Sequence, residues 1–185
     1  MTEDQNMLGF YEGFTETVHK AMRFVTSISN RSLQQKLIAG LHALNTQTYD
    51  LEKVTDPSIH GCRTNFEFGI AENDGFNYLN DDETARVLKA VGKKPLEIID
   101  LFCVVRYHRS RGGKETSLKF DYWMIRLVFN KRLMDAYVFH ERGPGYTSAG
   151  DVVNVVASKV NETCMKKVLK ESFLTSPLEK AQNNL

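Results

Sequence analysis

The sequence predicts an α+β fold in which an N-terminal helical hairpin and a long C-terminal helix cover an antiparallel sheet that contains a three-stranded meander. Two observations carry this prediction. Apolar residues recur every three or four positions near both ends of the chain, whereas residues 96–142 contain three β-rich runs joined by short turns. With 185 residues, of which 42% are hydrophobic, the chain is expected to form one domain with its own core.

Residues 7–51 have the spacing of two consecutive helices. In residues 7–28 an apolar stripe lies opposite charged side chains, and it includes Phe10, Tyr11, Phe14 and Val18. Turn-forming residues follow at positions 30–32, after which helical spacing resumes over residues 33–51. Pro57 ends the hairpin because proline has no amide proton to donate. We therefore divide the chain into a helical hairpin (1–56), a sheet domain with the C-terminal helix (57–174) and a flexible tail (175–185).

From Arg63 onward the apolar period changes from helical to alternating, which predicts a strand. The turn tetrapeptide at residues 72–75 allows residues 76–79 to return as a short partner strand. Asn80, followed three positions later by Glu83, resembles an N-cap with its N3 carboxylate and opens a helix that stops near Gly92. A hairpin followed by a short helix is therefore expected before the meander.

The meander is predicted from the runs at residues 96–109, 117–129 and 133–142. Glycines lie in the first connection and only residues 130–132 form the second, so the three strands must be antiparallel neighbours. The middle run is bulky and apolar on both sides, which indicates a central strand. We expect the N-terminal helices to cover one of its faces and a helix over residues 148–173 to cover the other.

Composition limits the functional classes. The formal charge of +1 gives no global attraction for polyanions, so any such binding must come from a local patch. The chain lacks an apolar stretch long enough for a membrane span, and a cytoplasmic location with no membrane association is expected. The three cysteines have no metal-ligand spacing, so we expect reduced thiols, no metal and no cofactor.

The first candidate site is the basic tip of the first meander hairpin. Basic side chains bind phosphates, and the tip carries five that are basic or can become so: Arg106, His108, Arg109, Arg111 and Lys114. Tyr107 lies among them and is available for stacking on a base. The alternative, which the sequence favours, is a solvated hairpin end whose charges discourage edge-to-edge aggregation.

The second candidate is a glycine loop that precedes the last helix. Backbone amides of such a loop, together with a helix N-terminus and an arginine, are suited to hold a phosphate or carboxylate. The residues concerned are Arg142, Gly143, Gly145, Thr147 and Ser148. The alternative is an ordinary turn in which Thr147 or Ser148 is the N-cap, and no nucleotide-binding motif accompanies the loop.

The third candidate is an Asp–His pair across the meander. If Asn130 and Lys131 form a two-residue turn, Asp121 lies opposite His140 and Arg126 lies opposite Asp135. Asp121 would then orient His140 as a general base. No nucleophile motif accompanies the pair, so structural ion pairing is the favoured alternative.

Three functional hypotheses follow. The preferred one is a non-enzymatic interaction module that self-associates or binds a protein partner through the stripe of Phe10, Tyr11, Phe14 and Val18. The alternative is binding of a nucleotide or nucleic acid through the basic hairpin tip and the glycine loop. The third is a small enzyme that uses Asp121 and His140, with Arg142 holding an anionic substrate.

Overall fold

The computed structural model describes residues 7–172, in which nine strands form one antiparallel sheet and four helices are present. In chain order the elements are β1 (Lys20–Thr26), α1 (Asn30–Asn45), β2 (Thr48–Asp50), α2 (Leu51–Val54), β3 (Cys62–Glu72), β4 (Gly75–Tyr78), α3 (Asp81–Lys93), β5 (Ile98–Arg111), β6 (Lys114–Ser117), β7 (Asp121–Asn130), β8 (Leu133–Arg142), α4 (Ala149–Glu162) and β9 (Leu169–Ser172). The predicted tail at residues 175–185 lies outside the described residues.

The strands lie in the order β2-β3-β5-β7-β8-β1-β9, and β4 and β6 are added to β3 and β5 as hairpin partners. The three strands predicted as a meander, β5, β7 and β8, form the centre of the sheet. Strand β5 is 14 residues long, so it pairs with β7 along its first part and with β6 near its end. The end of the sheet at which β5 meets β6 carries the predicted basic residues, and we call it the basic end.

The two faces of the sheet have different environments because side chains alternate along each strand. One face packs against α1 and α4 and forms the hydrophobic core together with them, and we call it the core face. Its buried side chains include Phe66, Leu101, Trp123, Ile125 and Val138. The opposite side, the outer face, carries half-buried side chains such as Phe102, Tyr122 and Phe139.

Residues 7–19 form an irregular segment with two turns, the N-terminal strap, that crosses part of the outer face. The Gly9 amide donates to the Ala71 carbonyl at 2.7 Å, and the Asp100 amide donates to the Gly9 carbonyl at 2.6 Å. Gly9 has φ +86°, and a Cβ there would lie 2.8 Å from the Ile98 carbonyl oxygen, so glycine is needed for this close approach. The strap therefore joins β3 to β5 at the end opposite the basic end.

The predicted N-terminal helical hairpin is wrong in its first half. Helix α1 exists, with Ser29 as its N-cap, but residues 7–28 form the strap and β1 instead of a helix. In β1, Met22 and Phe24 point to the core by strand alternation, and the strand pairs with β8. The apolar residues three or four apart that suggested a helix divide between the irregular strap and strand β1.

The predicted long C-terminal helix is also wrong. Helix α4 begins after the N-cap Ser148, as expected, but it ends at Glu162. The Asn161 side chain accepts hydrogen bonds from the amides of Val168 and Leu169, both at 2.9 Å, and so turns the chain back. Strand β9 then pairs with β1, where a continuing helix had been expected.

An antiparallel sheet and a mixture of helices and strands are confirmed, and so are two local features, but the described sheet has nine strands and the predicted three-stranded meander is only its centre. Strands β3 and β4 form the predicted hairpin, and Asn80 caps α3 by accepting from the Glu83 amide at 2.9 Å. The expected cover of the middle strand on both faces by helices is wrong, because α1 and α4 share the core face. Within residues 7–172 the outer face of β7 is contacted by the strap at Arg126 and is not covered by α1 or α4.

Candidate functional site

The basic hairpin tip is formed by the end of β5 and by β6. Gly112 and Gly113 both have positive φ, 58° and 76°, as a tight turn that matches the strand twist requires. The register places Arg111 opposite Lys114 and Arg109 opposite Thr116. Because opposed residues share a face, Arg109, Arg111 and Lys114 lie on one side of the hairpin. Glu115 pairs with Ser110 and so lies on the other side.

These three cations are accessible. Every residue of β6 is exposed, as is Arg111, and Arg109 is half-buried. Within residues 7–172, none of Arg109, Arg111 and Lys114 has an ion-pair partner. No carboxylate of the described residues neutralises their charges, so these side chains can bind an external polyanion.

The remaining basic candidates lie on the outer face at the same end. The guanidinium of Arg106 forms a two-point ion pair with Glu67, at 2.6 and 3.2 Å, and lies 4.4 Å from the ring centre of Phe120. The pKa of Arg106 is raised chiefly by the hydrogen bond to Glu67. Arg142 is exposed, and its guanidinium lies 4.2 Å from the ring centre of Tyr122. His108 lies directly opposite Arg63 in the register of β5 on β3.

Tyr107, expected to be available for stacking, is fully buried on the core face. Its hydroxyl donates to Asp121 Oδ2 at 2.6 Å and lies 2.9 Å from Thr147 Oγ1. A phenol has one proton, so the Thr147 hydroxyl is the donor in the second contact. Burial, and then the hydrogen bond to Asp121, raise the pKa of Tyr107 far above its usual value. Tyr107 is thus a structural residue.

The glycine loop is held in place by the carboxylate of Asp121. Asp121 is fully buried, and its Oδ1 accepts from the Gly145 amide at 2.6 Å while Oδ2 accepts from the Tyr146 amide at 2.9 Å. The loop amides that were expected to hold an external phosphate or carboxylate therefore donate their hydrogen bonds to Asp121. Ser148 is the N-cap of α4, since its Oγ accepts from the Asp151 amide at 3.1 Å.

Two glycines of the loop, Gly143 and Gly145, differ in the space available for a side chain, and alanine substitutions test this difference. Gly143 has φ +120°, and a Cβ there would overlap the Phe120 carbonyl oxygen and Asp121 Oδ1. We expect Gly143→Ala to lower the free energy of unfolding by about 2–3 kcal/mol through backbone strain and overlap. Gly145→Ala is the matched control: its φ is +71° and its nearest contact is 3.9 Å away, so about 1 kcal/mol is expected. Equal losses in urea unfolding would contradict this explanation.

Asp121 and His140 are in contact, although the register differs from the predicted one. His140 Nε2 lies 2.9 Å from Asp121 Oδ1, and the imidazole packs on Trp123 with ring centres 4.3 Å apart. In the sheet, His140 pairs with Trp123 and Arg126 pairs with Tyr137, and an irregularity follows between Tyr122 and Trp123. The side chains reach each other across this offset.

The second expected ion pair does not form, because the turn lies at Lys131 and Arg132 and shifts the register. Arg126 pairs with Asp100, at 2.7 Å, and Asp135 pairs with Arg23, at 2.6 Å. Both carboxylates thus have partners from other strands. The paired charges within the sheet that the sequence indicated are present, with different partners.

The stripe expected to bind a partner lies in the strap. Phe10 and Phe14 cover the guanidinium of Arg126, with centroid distances of 5.1 and 4.5 Å, and Tyr11 packs on Phe76 at 4.9 Å. These three side chains and Val18 are half-buried. They do not form an exposed helical stripe.

Sequence reasoning missed the aromatic residues of the outer face. Phe120, Tyr122 and Phe139 were expected in a core covered on both sides, yet they lie on the face that α1 and α4 leave open. The alternation of residues 120–124 was a usable signal for their common orientation. The solvent exposure of that side was not readable, because it depends on where distant helices pack.

Other classes of site find no residues here. Within residues 7–172 no cluster of three or more His, Cys, Asp or Glu side chains is arranged to hold a metal ion. The same part of the chain has no helix that is long and apolar enough to cross a membrane. The three cysteines are free thiols. Comparisons of the chain with protein-family models, curated proteins and solved structures gave no match.

Proposed function

We propose that this protein binds the phosphate backbone of a nucleic acid through the hairpin formed by β5 and β6. The observation that carries the proposal is the common orientation of Arg109, Arg111 and Lys114 on an accessible hairpin face, where they have no carboxylate partner among residues 7–172. Neutralising phosphates with such side chains releases condensed counterions, which drives association. A chain with a formal charge of only +1 needs a concentrated patch of this kind.

Two features of the hairpin support contact with a nucleic acid. A two-stranded ribbon is narrow enough to enter the major groove of a duplex or to follow one strand. The tight turn at Gly112 and Gly113 leaves no bulky loop beyond Arg111 and Lys114. The free cysteines are consistent with the cytoplasmic location that we also propose.

The test is a triple variant, Arg109→Gln, Arg111→Gln and Lys114→Gln, assayed by fluorescence anisotropy on a labelled oligonucleotide over a range of salt. The plot of log affinity against log salt should become shallower by about 2–3, because each phosphate contact contributes about 0.7–0.9 to the slope. We expect at least about a tenfold loss of affinity at low salt. The fold should survive because these side chains make no ion pairs within the described chain.

The matched control removes three exposed lysines from α3 or its end, Lys89→Gln, Lys93→Gln and Lys94→Gln, with the same change in net charge. This control should bind as the native protein does. If the two triple variants lose affinity equally, only overall charge matters and the hairpin is not the site. If the native protein binds no oligonucleotide at low salt, the proposed function is wrong.

The other two hypotheses stay predictions. Self-association, or binding of a protein partner, was assigned to a helical stripe whose side chains Phe10, Tyr11 and Phe14 pack on Arg126 and Phe76 in the structure. Catalysis by His140 was assigned to a pair in which Asp121 also binds two loop amides and the Tyr107 hydroxyl. Neither arrangement supplies an observation that favours it over nucleic-acid binding.

A further inference from the structure

We propose that the outer face at the basic end is a stacking platform for single-stranded nucleic acid. Three pairs of side chains form it, each combining an aromatic ring with a nitrogen-containing planar group: Phe120 with Arg106, Tyr122 with Arg142, and Phe139 with His19. The inference rests on the proposed function for its ligand class. It adds a second surface and a choice between single and double strands.

The geometry of the pairs is that of stacked groups. The guanidinium carbons of Arg106 and Arg142 lie 4.4 and 4.2 Å from the ring centres beneath them. The imidazole of His19 lies 5.0 Å from the Phe139 ring, with an interplanar angle of 13°. Bases stack on aromatic rings and also on arginine planes, so each pair offers a flat support with a positive or polar outer layer.

Within the part of the chain that the structure describes, the platform is open to a ligand. The core helices α1 and α4 pack on the opposite face of the sheet, and the strap contacts the outer face around Asp100 and Arg126. Arg142 and His19 are exposed, and Tyr122 and Phe139 are half-buried. A nucleobase therefore has access to the outer plane of Arg142 without any movement of the backbone.

Charge at the platform suits a polyanion. The carboxylate of Glu67, which lies on this surface, is already paired with Arg106. Arg142 has no ion pair within residues 7–172, although the exposed Glu141 precedes it in the chain. The pair of Arg142 and Tyr122 thus combines a stacking surface with a charge that remains free to contact phosphate.

Spacing favours a single strand over a duplex. Phe120 and Tyr122 are two residues apart, which in extended chain corresponds to roughly 7 Å. Consecutive bases in a duplex strand are stacked at about 3.4 Å, so they cannot match two such supports. An extended single strand with its bases separated can place one base on each pair.

The experiment compares a labelled single-stranded oligonucleotide of mixed sequence with the same strand in a duplex. Tyr122→Leu and Phe139→Leu should each weaken single-strand binding about fivefold to a hundredfold, with the salt slope unchanged, since each change removes an aromatic support and no cation. Duplex binding should stay within about twofold of the native value. Tyr122→Phe, which keeps the ring, should restore single-strand binding.

The matched control is Tyr137→Leu, which removes a half-buried ring from the outer face of β8 beside Arg126 and away from the basic end. It should leave both affinities unchanged, and far-ultraviolet circular dichroism checks that every variant folds. Arg142→Gln should weaken single-strand binding and lower the slope by about 0.7.

The outcomes separate the two proposals. If the native protein binds both oligonucleotides and the leucine variants at Tyr122 and Phe139 bind as it does, the platform is wrong while the hairpin proposal stands. Preference for the duplex would also overturn the platform. If the native protein binds neither oligonucleotide, the proposed function itself is wrong.

Discussion

Replacing Asp121 with alanine should lower the free energy of unfolding by about 3–5 kcal/mol, which is the range for removing one partner from a buried charged network. Four donors point at this carboxylate: the Gly145 and Tyr146 amides, the Tyr107 hydroxyl and His140 Nε2. The Tyr107 side chain is fully buried, so within residues 7–172 its hydroxyl would be left with the Thr147 hydroxyl, 2.9 Å away, as its partner. The glycine loop would lose its attachment to the sheet.

Urea unfolding followed by the fluorescence of Trp123, the only tryptophan, measures this loss. Thr147→Val is the graded control in the same network, because it removes one neutral hydrogen bond to Tyr107 and should cost about 1 kcal/mol. A loss below about 1 kcal/mol for Asp121→Ala would mean that the loop is held by other contacts. It would also return Asp121 to consideration as an orienting group for His140.

The parts of the fold that the sequence predicted correctly are those fixed by neighbours along the chain. The cap of α3 needs only Asn80 and Glu83, and the β3–β4 hairpin needs only the turn between its strands. These signals act over a few residues and hold in any tertiary context that leaves the helix or turn in place. The long strands β5, β7 and β8 were equally readable from their β-branched and aromatic runs.

The errors concern elements whose structure depends on distant partners. Strand β1 is an extended segment between β8 and β9, both of which follow it by more than a hundred residues. No local feature of residues 20–26 records those partners, and apolar spacing there suits a helix as well as a strand. The same dependence explains β9, which was assigned to the last helix although it pairs with β1.

The candidate site divides in the same way. That Arg109, Arg111 and Lys114 lie at a hairpin tip was predictable, because two glycines mark the turn. That the outer face is open was not predictable, because it follows from the placement of α1 and α4 on the core face. The contact between Asp121 and His140 was expected from a register that proved wrong, since the turn residues are Lys131 and Arg132.

Replacing Asp100 with alanine should also lower the free energy of unfolding by about 3–5 kcal/mol, because it removes the carboxylate that neutralises the largely enclosed Arg126 guanidinium. The carboxylate of Asp100 is fully buried and binds Arg126 at 2.7 and 2.8 Å. It also accepts from the Tyr11 amide at 2.8 Å, while Arg126 donates to the Tyr11 carbonyl at 3.1 Å. Loss of the carboxylate should therefore loosen the strap as well as destabilise the sheet.

Two measurements distinguish these effects. Urea unfolding reports the total loss, and hydrogen exchange at the Tyr11 amide reports the strap, which should exchange faster at urea concentrations where the sheet is intact. Slow exchange at Tyr11 in Asp100→Ala would show that the strap is held by Gly9 and by the rings on Arg126. The backbone hydrogen bonds of Gly9 to Ala71 and to the Asp100 amide do not involve the Asp100 carboxylate. We therefore expect the strap to open at Tyr11 and to stay attached to the sheet at Gly9.

The double variant Asp100→Leu with Arg126→Met decides whether the ion pair itself stabilises the protein. Removing both charges leaves no unpaired ion, and methionine retains contact with Phe10 and Phe14, so the double variant should be more stable than Asp100→Ala. If the double variant unfolds at the same urea concentration as Asp100→Ala, the loss of stability arises from the lost hydrogen bond to the Tyr11 amide and from the strap. If it matches the native protein, the buried charges are replaceable, and the network serves to fix the strap in one place on the outer face.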